Sequence, residues 1–152
     1  MRQLQVSAPN RFRRLEWWGL LYARVSLGTA FLSAIASRFG LWQGEPGLGQ
    51  FAGFIKRTAE LNWFVPMTVI PLIAWTATAA ETLLGLLLIA GVWLRWVSLA
   101  SAILLALFGT TMAIADGIKS PMDYSVFSAS GAAVLLALWA LRHHQEQTIV
   151  GE

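Results

Sequence analysis

Apolar positions along the chain gather into four long runs, about 17–37, 67–93, 96–115 and 124–141, separated by polar connections rich in glycine and proline. Within the second, LIAWTATAAETLLGLLLIAGVW (72–93) would span roughly 33 Å as a helix, against a hydrocarbon core of about 30 Å. The pattern predicts an all-α membrane protein: a four-transmembrane-helix bundle with a polar N-terminal segment (1–16), a membrane domain (17–141) and a polar C-terminal tail (142–152) expected to fray. The connection 39–66 is too long to be structureless in a compact protein. It opens with Gly40, Gly44, Pro46, Gly47 and Gly49, which favour turns. Phe51, Phe54, Ile55, Thr58 and Leu61 then recur at helical spacing, with Gln50, Lys56, Arg57 and Glu60 opposite them. A short interfacial helix over 50–61, between spans 1 and 2, is therefore expected, the competing reading being a polar loop with scattered aromatics.

Local signals refine the boundaries. Pro71 belongs to the first turn of the second span or kinks it. Residues 91–95 make a tight reversal, which would leave the second and third spans antiparallel neighbours. Asp123 is placed to cap the fourth. Ala34-Ile35-Ala36 imitates a signal-peptide cleavage site, but Arg24 interrupts the run and its length suits a span. No internal repeat is evident.

Composition narrows the chemistry. Of 152 residues 57% are hydrophobic and 12% charged, half the share of charge in ordinary soluble domains, which leaves no second soluble domain. The net charge of +3 comes from basic residues flanking the spans, so their expected partners are lipid headgroups and not nucleic acid. With no cysteine, disulfides, thiol relays and cysteine-ligated iron–sulfur clusters are excluded. With histidine only at His143 and His144, so is a haem held by two histidines inside the bundle.

Orientation follows from the basic residues and tryptophans. Arg2, Arg11, Arg13, Arg14, Arg95 and Arg142 fall on one side, Arg38, Lys56, Arg57 and Lys119 on the other. That bias favours cytoplasmic termini. Trp17, Trp18, Trp93, Trp96 and Trp139 mark one interface, Trp42 and Trp63 the other; Trp75 alone lies well within a span.

Two constellations could carry chemistry. Glu81 stands in the middle of the second span, where a charge must face protein, pair or be protonated. Arg24 is the opposite charge well inside a span. A direct or water-bridged Arg24–Glu81 pair is one reading; the other has Arg24 reaching the headgroups and Glu81 protonated against threonine hydroxyls. Trp75, Thr78 and Thr82 complete this candidate site, and Gly85 shares its face. Stripes of small residues, Ser98, Ser101, Ala102, Leu105 and Gly109 in the third span and Ser125, Ser128, Ala129, Ala132 and Ala133 in the fourth, suggest close helix packing. The second constellation is Asp116, Lys119 and Asp123, beside Lys56 and Arg57. Its two carboxylates gain no histidine or further acid nearby, so capping and loop ordering suit them better than a metal.

The stretches RVSLGTAFLSAIASRFGLW, AETLLGLLLIAGVWLRW and GIKSPMDYSVFSAS resemble the DoxX family of small four-helix bacterial membrane proteins, with Arg24, Glu81, Gly85 and Gly91 fitting its pattern. The resemblance implies a multi-pass protein of the bacterial cytoplasmic (inner) membrane, related to the membrane subunit of a thiosulfate:quinone oxidoreductase. This chain could not hold a redox centre by itself; at most it would bind a quinone or dock a redox partner. The leading expectation is a DoxX-like accessory protein with a quinone-sized site near Arg24, Trp75, Thr78 and Glu81, in contact with lipid and with other membrane or redox subunits. The alternatives are a small transporter or proton or ion conductor centred on Glu81, and a scaffold without a small-molecule site. A quinone site predicts an apolar lateral opening, a transporter a polar path from both faces, a scaffold neither.

Overall fold

The computed structural model describes residues 10–42 and 48–150. Within them the chain is helical, in the order α1 (Asn10–Arg38), α2 (Leu48–Leu61), α3 (Ile70–Ala90), α4 (Leu94–Asp116), α5 (Lys119–Asp123) and α6 (Val126–Val150). Four of these, α1, α3, α4 and α6, contain stretches long and apolar enough to cross a membrane, and α2 is the shorter helix between the first two. Arg2, the turn residues Gly44, Pro46 and Gly47, and the side chains of Arg11, Arg13 and His144 lie outside the described residues.

The sequence sets the helix ends. Pro71 occupies the first turn of α3, where its missing N–H has no intrahelical partner to lose. Gly91, at φ 74°, closes the helix left-handed and donates its N–H to the Leu87 carbonyl at 2.8 Å. Trp93 is also left-handed, at φ 47°, and α4 starts one residue later. Past Leu141 nothing breaks the helix before Gly151, and α6 runs to Val150 where the sequence suggested a fraying tail. Asp123 does not cap α6: it closes α5, accepts a hydrogen bond from Lys119 Nζ at 2.5 Å, and leaves Tyr124 and the left-handed Ser125 to make the corner.

The spanning helices pack as two tight pairs, α1 with α3 and α4 with α6. Backbones touch where α1 meets α3: a Cβ on Gly28 would lie 2.8 Å from the Gly85 carbonyl oxygen, and one on Gly85 3.1 Å from that of Gly28. Between α4 and α6, Gly109 makes room for the Phe127 ring and Ser130 Oγ donates to the Ala102 carbonyl at 2.9 Å. Ser98, Ser101 and Ala102 are buried on α4 and Ala133 on α6, while Ser125 and Ser128 stay exposed. Although a tight turn joins α3 to α4, each packs mainly on another helix, and between them the structure opens. Helix α2 lies against α1, α3 and α4, its Phe51 and Thr58 buried and Gln50, Lys56, Arg57 and Glu60 exposed.

Candidate functional site

The inward face of α3 carries Ile70, Ala74, Thr78, Glu81, Gly85 and Leu88, every third or fourth residue. The apolar members take that face inside and Glu81 goes with them, its side chain 2% exposed. The partner of Glu81 is Arg38, the last residue of α1. Arg38 Nη2 lies 2.6 Å from Glu81 Oε1, and Nη1 donates to Thr78 Oγ1 at 3.1 Å. The guanidinium covers the Phe54 ring of α2 at 3.8 Å from its centroid. Thr78 in turn donates to the Ala74 carbonyl, so its oxygen is free to accept from Arg38. Glu81 Oε2 is buried without a hydrogen-bond partner among the described residues.

Register explains how a terminal arginine reaches a central glutamate. Gly28 meets Gly85 and Arg24 meets Ile89, an antiparallel match that brings the Arg38 backbone level with Trp75. From there the side chain turns back into the bundle toward Thr78 and Glu81, about 4.5–9 Å along α3. Most arginines at a span end reach outward to headgroups; this one reaches in.

The pairing expected of Arg24 is therefore corrected. Arg24 Nε donates to the Leu88 carbonyl at 3.1 Å and Nη2 to that of Ile89 at 3.0 Å, so it caps the C-terminus of α3. Those carbonyls have no intrahelical donor, and the negative end of the helix dipole favours a cation there. Thr82 donates to the Thr78 carbonyl on its own helix. Trp75 is half exposed; its ring lies 4.3 Å from Phe51, which stacks on Phe39 and touches Phe54. Of the residues expected at this site, the structure thus joins Glu81 and Thr78 through Arg38, reaches Trp75 through aromatic contacts, and removes Arg24. Arg38 and Phe54 were missed. Arg38 stands where basic residues usually mark a headgroup boundary, and Phe54 was legible only as part of an apolar stripe.

Beside the ion pair, in the gap between α3 and α4 under α2, lies a cavity of about 680 Å³. Arg38, Phe54 and Thr58 wall one end, Ala77 and Ala80 form part of the α3 side, and Leu105 and Phe108 part of the α4 side. Leu72, Thr76 and Leu107 line it too, and they are exposed outward on spanning helices, so the cavity opens laterally, where lipid would lie. Its size falls within the range of small-molecule sites.

The second constellation separates into two ion pairs. Asp116 meets Arg57 of α2 and accepts from Ser120 Oγ at 3.3 Å, while Lys119 binds Asp123 within α5. Arg57 also meets Glu60 at 3.1 Å; the hydrogen bonds it donates to Glu60 first, then to Asp116, raise its pKa above the ordinary arginine value. These contacts tie α2 to the end of α4, on the same side as the cavity.

The family model described as methylamine utilisation protein MauE matches residues 14–125, which include Arg24, Arg38 and Glu81. The chain belongs to the MauE family. No curated protein and no solved structure matches it. Membership in MauE overturns the DoxX resemblance. The features that carried that resemblance have structural duties here: Arg24 and Gly91 finish a helix, and Gly85 admits the backbone of α1. A compact bundle of apolar helices can need such devices in any family. The chain is a multi-pass membrane protein, as MauE membership and the four apolar helices indicate.

Proposed function

We propose that this protein is a membrane accessory component of methylamine utilisation, and that it works by holding a membrane-soluble molecule in the cavity between α2, α3 and α4. The reading is supported above all by the lateral, apolar opening that ends at Arg38, which is held from behind by Glu81. A quinone is the occupant that would couple the site to amine oxidation: it enters from lipid, its ring and tail suit apolar walls, and a guanidinium can donate to its carbonyl. The electrons would be exchanged with a separate redox subunit docked to the bundle, since the chain brings no cysteine. The same reading assigns the protein to a bacterial inner membrane with both termini cytoplasmic.

Filling the cavity tests the reading. Ala77→Leu and Ala80→Leu add bulk to its α3 wall without touching the ion pair. In a strain dependent on this chain for growth on methylamine, both variants should accumulate in the membrane yet slow growth, and lose any quinone that co-purifies with the parent. Full growth with the cavity filled would remove it from the function.

A further inference from the structure

The charge at the cavity wall restricts what can bind there. Arg38 is paired with Glu81, so the wall is neutral overall although it carries a cation. A guanidinium has five N–H donors, and among the described residues this one makes two hydrogen bonds to protein, to Glu81 and Thr78. Several other polar groups of the lining donate close by: Thr58 Oγ1 to the Phe54 carbonyl, Thr111 Oγ1 to that of Phe108, and one N–H of Asn62 Nδ2 to that of Thr58. A donor facing an apolar space is the arrangement that binds an acceptor oxygen. An anionic head would meet the Arg38 charge already compensated and would add a second negative charge close to Glu81, in surroundings that screen it poorly. A cationic head would face Arg38 itself.

We infer that the cavity selects an uncharged amphiphile that presents a carbonyl oxygen to Arg38, and discriminates against anionic amphiphiles. This rests on the cavity being the working site, and it goes further by fixing the charge and the hydrogen-bonding group of the occupant. Two sources share that chemistry: the ring carbonyl of a prenylated quinone and the ester carbonyl of an uncharged glycerolipid.

Binding of three probes to the purified full chain in detergent tests the inference: a short-chain ubiquinone, dioleoylglycerol and palmitate, each with the parent, Glu81→Gln and Ala77→Leu. The parent should bind one or both uncharged probes about 10-fold or more tighter than palmitate. The tighter of the two identifies the source, and Ala77→Leu should weaken it. Glu81→Gln keeps size and hydrogen bonding but leaves the Arg38 charge uncompensated, so its preference should shift toward palmitate. Palmitate binding the parent as tightly as the uncharged probes, or an unchanged preference in Glu81→Gln, overturns the inference while the cavity stands as a site. Failure of all three probes to bind the parent overturns both the inference and the functional reading.

Discussion

Arg38 and Glu81, 43 residues apart in the chain, meet at 2.6 Å inside the bundle, with Arg38 reaching inward from the end of its helix. The contact joins α1 to the middle of α3 and, through Phe54, to α2, so one side chain holds three elements beside the cavity.

The pair should behave as a unit. Arg38→Leu or Glu81→Leu alone strands a buried charge and should cost about 3–5 kcal/mol, whereas the double variant should lose less than the sum, with a coupling of about 0.5–3 kcal/mol. Thermal unfolding in detergent measures it. Arg24→Leu combined with Glu81→Leu is the control and should be additive within about 0.5 kcal/mol. Strong coupling in the control and none in the Arg38 cycle would reinstate Arg24 as the partner.

Gly91→Ala should be more damaging than a loop substitution of that size. The left-handed backbone disfavours a side chain, and a Cβ there would collide with the Arg24 guanidinium, displacing the group that caps α3. A loss of about 1–3 kcal/mol is expected. In an Arg24→Ala background the same change should cost less. An equal cost in both backgrounds would separate the glycine from the arginine.

Gly28→Leu should disrupt the α1–α3 seam, because its Cβ would already lie 2.6 Å from Ile89 Cγ1 and 2.8 Å from the Gly85 carbonyl oxygen. Gly19→Leu, on the same helix but with open space around it, is the comparison. Melting temperatures should fall for the first and hold for the second.

The Arg57–Asp116 contact is exposed and should contribute about 0–1 kcal/mol, less at high salt. Because the folded-state pKa of Arg57 is raised, any stability it gives is fully present below the unfolded value and is lost only as pH rises through the folded one, in strong alkali. Melting of Asp116→Asn should therefore trail the parent by a small, constant amount from pH 6 to 9. A gap that widens across that window would point to a different titrating group.

Topology can be read with reporter fusions in a bacterial host. A periplasm-active enzyme should be active when inserted at Gly44 and silent when fused after Glu152. The reverse pattern would invert the orientation.

The helices were legible because a bilayer leaves the chain little choice: backbone polar groups must be satisfied within each span, and apolar runs of the right length announce it. Helix α2 was legible because Phe51, Phe54 and Ile55 share a side that Lys56 and Arg57 do not. Partners were harder. Glu81 stood out by depth alone, but Arg38 becomes its neighbour only through the register that Gly28 and Gly85 impose, and two glycines do not declare which helix they will meet. Arg24 has a use only once Gly91 has ended α3 and left two carbonyls open. The cavity depends on α3 and α4 each preferring another helix over the one beside it in sequence, a matter of side-chain fit that no single stretch encodes.

That Arg24 and Arg38 of α1 find their partners on α3 also sets a timetable. Synthesis runs from the N-terminus at about 5–20 residues per second, so Glu81 leaves the ribosome roughly 2–9 s after Arg38, and the carbonyls that Arg24 caps follow later still. During that interval the first span must enter the membrane with the charges of Arg24 and Arg38 unanswered. Arg38, at the helix end, can spend it extended into water and turn inward only when α3 arrives, which makes the closing of this ion pair a late event in the birth of the protein.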